Sequence, residues 1–147
     1  MDRETRRALH VWIALNRALH AIDKPLRGQV EAHGLTVKSF AVLEVLLHKG
    51  PLPIGEIGER VLLTSGSMTY VIDQLEERGL LVRRPSETDG RVQIVALTDA
   101  GKALISDVFP DHAARIDTLM HDLSMDDRET LFRLLRQLQA SAETAVE

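Results

Sequence analysis

The stretch from Ile54 to Leu97 constrains this chain more than any other. Ile54, Ile57 and Val61 recur at helical spacing and mark a two-turn helix. Gly55 and Gly58 weaken it, each by about 1 kcal/mol relative to alanine in a helix interior. Leu62-Leu63-Thr64 is a short connection. Thr64 or Ser65 then caps a second helix reaching about Glu77, with Met68, Ile72 and Leu75 inward and Gly79 just past its end. Leu80 to Arg84 reads as a short strand and Arg91 to Leu97 as another, with Val92, Ile94 and Ala96 alternating against Gln93 and Val95. Between them, Pro85-Ser86-Glu87-Thr88-Asp89-Gly90 is a run of turn formers, so the pair is expected to form one β-hairpin with an exposed tip.

The flanks are helical. From about residue 4 to 32, Leu9, Trp12, Ile13, Leu19, Ile22, Leu26 and Val30 trace an apolar stripe. Pro25 is expected to kink or restart that segment, with Asp23 available as a cap, and Gly34 to stop it. Thr36 caps a helix burying Phe40, Leu43, Leu46 and Leu47, which ends near Gly50-Pro51. Thr98 caps a long helix to about Leu123, kinked near Pro110. Ser124-Met125-Asp126-Asp127 resembles a capping box and opens a last helix with Leu131, Leu134, Leu135 and Leu138 on one face.

Composition narrows the function classes. With 147 residues, 44% hydrophobic and 27% charged, one ordinary domain is expected. No cysteine is present, which removes disulfides, thiolate metal sites, cysteine nucleophiles and thiol redox sensing. The charged start MDRETRRALH, and the absence of any apolar run longer than Val11 to Leu15, predict a soluble, cytoplasmic protein with no membrane contact. The formal charge is −4, but residues 102–147 hold five basic and nine acidic side chains, leaving thirteen of each sign before them. The acidity belongs to the C-terminal third, and the rest is free to present a basic surface.

Two short helices joined by a tight turn and followed at once by a hairpin make a winged helix-turn-helix. A B-DNA major groove admits one α-helix, while a hairpin tip reaches the neighbouring minor groove. The expected recognition helix opens Thr64-Ser65-Gly66-Ser67-Met68-Thr69-Tyr70, small and hydroxyl-bearing, so backbone amides can approach phosphate. Thr64, Ser65, Gly66, Ser67, Thr69 and Tyr70 are therefore candidate DNA contacts, together with Arg83, Arg84 and Arg91 of the wing. Asp89, two residues before Arg91, is expected to hold that guanidinium pointing down the wing. Alone, such a pair is a solvated surface ion pair worth less than about 1 kcal/mol; its place at a hairpin tip favours the DNA reading. Asp73, acidic and mid-helix, is expected to be structural and to pair with a neighbouring basic group.

Asp73-Gln74-Leu75-Glu76-Glu77-Arg78-Gly79-Leu80, then Asp89-Gly90-Arg91 followed by Leu97-Thr98-Asp99-Ala100-Gly101, and Gly34-Leu35-Thr36 upstream, together resemble the MarR family of bacterial transcription regulators. The likeness extends over nearly the whole chain in element order and length. The run Leu62 to Asp73 is similar to a subgroup that includes quinone- and catechol-responsive repressors. The resemblance implies a fold that is mainly α with a small β-hairpin wing. It implies a homodimer formed by the N- and C-terminal helices, about 1–34 and 99–147, around a winged helix-turn-helix of about 36–98. The apolar stripes of the terminal helices, wider than a monomer of this size needs to cover, agree with that. The implied function is a sequence-specific, double-stranded-DNA-binding repressor of a pseudo-palindromic operator, released by a small phenolic, quinone-like or other lipophilic effector. On the first helix, Trp12, Asn16 and His20 lie at i, i+4 and i+8 and are candidates to face that effector.

Two departures from the family pattern stand out. Tyr70 replaces a commoner arginine or other long polar residue, and Gly90 replaces the commoner wing arginine. The six histidines offer no pair at i, i+4, so no metal site is expected. No catalytic motif or cofactor-binding motif is present, and the chain is expected not to be an enzyme. The rival from another class is a winged-helix protein-interaction or dimerisation module without specific DNA binding.

Overall fold

The structure is a computed structural model that describes residues 1–63 and 65–145; the predicted cap and DNA contact Thr64 lies outside the described residues. Along the chain come α1 (Arg3–Ala32), α2 (Val37–Lys49), β1 (Leu52–Pro53), α3 (Ile54–Val61), α4 (Ser65–Glu77), β2 (Leu81–Pro85), β3 (Gln93–Leu97), α5 (Asp99–Leu119) and α6 (Met125–Thr144). They fall into two compact units, Met1–Ala113 and Ala114–Glu147. Among the described residues, no helix is long and apolar enough to cross a membrane.

In the first unit the helices follow their predicted signals. Asp2 caps α1, its side chain accepting from Thr5 N at 2.7 Å, and Thr36 Oγ1 caps α2 by accepting from Ser39 N at 3.1 Å. Gly34, Gly50 and Gly79 take left-handed φ values of 73–75°, closing α1, α2 and α4 where glycine costs least. Pro25 neither ends nor restarts α1, which is helical from Arg3 to Ala32. Asp23 does not cap a new helix either: it pairs with Arg27 one turn on, at 3.0 Å across the proline, while Val30 anchors the helix end in the core. Phe40, Leu43, Leu46, Ile57, Met68, Ile72 and Leu75 form the predicted interior, joined by Leu35, Val42, Leu81 and Ile105.

The sheet differs from the expected hairpin in two ways. It has three antiparallel strands in the order β1-β3-β2, because Leu52 and Pro53 pair with Val95 and Ile94. In addition, β3 begins at Gln93 rather than Arg91, and the buried residue is Val95 at 0% exposure, whereas Val92 stays exposed. Val95 stands on the face of the sheet that meets the core, where it lies opposite Leu52 of β1, and both belong to the hydrophobic interior.

The second unit holds the end of α5 and α6. The long helix stops at Leu119 rather than near Leu123. Beyond it, Arg128 Nη2 donates to Met120 O at 2.9 Å and its Nε to Leu123 O at 3.2 Å, satisfying carbonyls of the turn that leads to α6. Ser124 Oγ caps α6 by accepting from Asp127 N at 3.0 Å. None of the described residues of α6 is buried; Leu131, Phe132, Leu134, Leu135 and Leu138 are all exposed.

Candidate nucleic-acid interface

Helix α3 is short and packs tightly on α4. Gly58, read from sequence as a weakness, is buried with its missing Cβ only 3.2 Å from Met68 Cγ, so glycine there lets the two helices approach. Between them Leu62 takes φ 58°, a left-handed conformation that costs a non-glycine residue, and its N–H closes the helix on Gly58 O. That turn aims α4. Met68, Val71, Ile72 and Leu75 face the core, leaving Gly66, Thr69, Tyr70, Asp73, Gln74 and Glu77 exposed. Ser67 is half-buried, and Ser65 is the first residue of α4. Tyr70 is 65% exposed, and its hydroxyl accepts from Gln74 Nε2 at 3.1 Å.

The three wing arginines part company. Arg83 turns back to α4: Nη2 pairs with Asp73, and Nε and Nη2 donate to Glu76 at 3.3 and 3.2 Å. Those carboxylates, Glu76 first, hold its pKa above the ordinary value. The basic partner expected for Asp73 is thus Arg83, a residue read from sequence as a DNA contact. Arg84 is exposed on β2.

Arg91 sits at the tip. Asp89 Oδ1 accepts from both the backbone N–H and Nε of Arg91 at 3.1 Å, and Oδ2 accepts from Nη2 at 3.2 Å. The carboxylate therefore shapes the turn and orients the guanidinium together, and these bonds hold the pKa of Asp89 below its usual value. The Arg91 side chain is 91% exposed, so the pairing orients it without hiding it.

At the opposite end, the hairpin is tied to the domain by residues that sequence singles out only as part of a pattern. Thr98 Oγ1 donates to Gly79 O at 2.6 Å and accepts from Gly101 N at 3.0 Å, while Thr98 N donates to Leu80 O at 3.1 Å. A Cβ on Gly101 would overlap Leu80 O. The Leu97-Thr98-x-x-Gly101 spacing is thus a joint between α4, β3 and α5.

A second feature lies among α1, α2 and α5. A cleft of about 390 Å³ is lined by Leu26, Val30, Val37, Phe40, Glu44 and His112, among others. His112 packs against Phe40 with ring centroids 4.3 Å apart and planes tilted by 45°, and its Nδ1 lies 3.2 Å from Gln29 Oε1. Buried Gln29 in turn donates to Val108 O at 3.4 Å. Burial lowers the pKa of His112 below 6.5, against the opposing pull of Glu44 and Asp111. Trp12, Asn16 and His20 are not in this lining; they are exposed on α1, where Asn16 Nδ2 donates to Trp12 O at 2.8 Å. Sequence marks Leu26 and Val30 as apolar, but nothing in it ties them to Phe40 and His112. Among the described residues no cluster of histidine and carboxylate side chains is arranged to hold a metal.

A model of the MarR family matches residues 33–92, the span from the end of α1 to the wing. The HTH-type transcriptional regulator MhqR of Bacillus subtilis is 42% identical over 139 residues, covering 95% of this chain and 96% of that protein. Among solved structures, the PcaV regulator of Streptomyces coelicolor in complex with its natural ligand is 25% identical, with a TM-score of 0.72 and 97% of each chain covered. BpsR of Bordetella bronchiseptica, whose DNA binding is regulated by 6-hydroxynicotinic acid, is also 25% identical. Its TM-score is 0.78 over 88% of this chain and 98% of that one.

Proposed function

This chain belongs to the MarR family of DNA-binding, helix-turn-helix transcription regulators, and from that premise we propose that it acts as a dimeric repressor released from an inverted-repeat operator by a small ligand. The single observation that carries the reading is the pairing of two surfaces. One is the small, hydroxyl-rich front of α4, Ser65 to Tyr70, and the other is Arg91, held outward by Asp89. A short helix of that kind fits a major groove, and an arginine already held in place loses less freedom on entering the minor groove beside it. Ser65, Gly66, Ser67, Thr69, Tyr70, Arg84 and Arg91 make the contacts, with Thr64 just before them in the chain. Arg83 acts from within by holding Asp73 and Glu76 away from phosphate.

Two copies are required to address two half-sites about one helical turn apart. The exposed Leu9, Trp12, Ile13 and Leu19 of α1, and the uncovered leucine face of α6, are surfaces that a second copy would cover. The effector occupies the α1–α2–α5 cleft, whose apolar walls and adjoining Phe40 and His112 rings suit a phenolic or quinone-like molecule. Trp12, Asn16 and His20, exposed on α1, would take part only if a second copy brought them to the cleft. Binding lowers DNA affinity by favouring a conformation whose recognition helices no longer match the half-site spacing, and only to the extent of its differential affinity for that conformation. Regulation of this kind, in the cytoplasm and without catalysis, needs no cofactor.

The test is selection of bound duplexes from a random pool, repeated with a panel of phenols and quinones. The expected result is an inverted repeat whose recovery one class of compound abolishes, with affinity falling steeply as salt rises. Recovery of no inverted repeat would overturn the reading.

A further inference from the structure

The exposed line of α4 changes character along its length. Gly66, Tyr70, Asp73 and Glu77 follow one another at helical spacing opposite the buried Met68–Ile72–Leu75 row. The last two are acidic, and anions repel the phosphate rims of a groove, so only the first two turns of the helix enter deeply. Gly66 and Thr69, also exposed there, are small, so among the described side chains of those turns Tyr70 is the long one aimed outward. Its hydroxyl has one proton to give, and Gln74 Nε2 already donates into its oxygen at 3.1 Å. The hydroxyl is thereby set as an outward donor.

We propose that Tyr70 is the base-reading residue of this regulator, donating its hydroxyl proton to N7 of a purine in the major groove, with Gln74 as the positioning residue that fixes it as a donor. The proposal rests on the operator-binding reading above. N7 is the acceptor that adenine and guanine share, and pyrimidines lack it. One position of each half-site is therefore specified as purine and left open between A and G. A phenol cannot make the bidentate contact with which arginine selects guanine, so the tyrosine at this position carries a looser code.

The experiment uses the full-length protein and the duplexes selected above, with three variants: Tyr70→Phe, Gln74→Ala and Gln74→Glu. Both positions are exposed, so melting temperatures are expected to match the parent's. Wild-type selection should return one A-or-G position per half-site. Replacing that purine by its 7-deaza analogue should lower affinity about 3- to 10-fold per half-site, the worth of one hydrogen bond. Tyr70→Phe should lose both the purine preference and the 7-deaza effect. Gln74→Glu should reproduce that loss, because a carboxylate accepts the hydroxyl proton and turns it inward; Gln74→Ala should fall between. A consensus retained with its purine preference intact in Tyr70→Phe would overturn this inference alone, as would an equal loss on selected and random duplexes, which marks a phosphate contact. Recovery of no consensus by the wild type would overturn the operator reading itself, and this inference with it.

Discussion

The base and the tip of the wing are built by opposite means. At the base, the contacts join separate segments of the chain: Thr98 to Gly79, Arg83 to Asp73 and Glu76, Gly101 packed on Leu80. At the tip they join near neighbours: Asp89 to Arg91, Ser86 to Thr88. The base defines where the hairpin stands, and changing it disturbs the fold. The tip is held by itself, in solvent, so it can be changed, or used to bind a ligand, without cost to the fold.

The largest expected effect probes the base. In Gly101→Ala, the new methyl would overlap Leu80 O and sit 3.0 Å from Leu80 C, both backbone atoms with no rotamer to yield. The substitution is expected to cost about 3 kcal/mol or more of unfolding free energy, read in a denaturant titration. An unchanged midpoint would mean that the base is soft and that the contrast with the tip is wrong.

How far sequence reaches follows the same division. The helices are readable because their signals are local: Thr36 three residues before Ser39, Ser124 three before Asp127, the three-residue spacing of Phe40, Leu43 and Leu46. The Asp89–Arg91 pair is readable for the same reason. Strand β1 is not, since two residues have no period, and the alternation along β3 does not say which of its faces meets the core. The ties of Arg83 within the domain are not legible, because its partners lie 7 and 10 positions back on another element. The cleft escapes notice because His112 and Gln29 are 83 residues apart. Pro25 reads as a break because the rule against a helical proline is local, whereas Gln29 and Val30, buried one turn further on, hold α1 in place by tertiary contact.

Two arginines on one hairpin sharpen the contrast. Arg91→Ala is expected to weaken operator binding by about 1–3 kcal/mol and to leave the melting temperature unchanged, because it bonds to Asp89 in solvent. Arg83→Ala is expected to do the reverse in kind. It should lower stability by about 1 kcal/mol, since Asp73 and Glu76 are left facing one another on partly exposed α4. Its effect on DNA should be smaller and should grow at low salt, where two released carboxylates repel phosphate most strongly. Equal melting curves for the two variants, measured together with fixed-salt duplex titrations, would erase the distinction between base and tip.

The smallest effect asks whether pH reaches a long-range tie but not a local one. Folded His112 has a pKa below the ordinary 6.5, chiefly because burial disfavours the imidazolium against Phe40, with Glu44 and Asp111 pulling weakly the other way. Between the folded value and 6.5, the unfolded chain holds a proton that the folded chain does not. The contribution of His112 to stability is therefore complete above 6.5 and is lost as pH falls from there toward the folded pKa. Asp89, also lowered, would act only below its ordinary 3.8, and its exposed pair contributes little even there. From about pH 7.5 to about pH 5, a range that brackets the ordinary histidine value, the melting temperature should accordingly drop less in His112→Gln than in the parent. Asp89→Asn should track the parent throughout. A His112→Gln slope identical to the parent's would show that the α1–α5 tie through Gln29 does not sense protonation, and that long-range contacts in this lobe are set by packing alone.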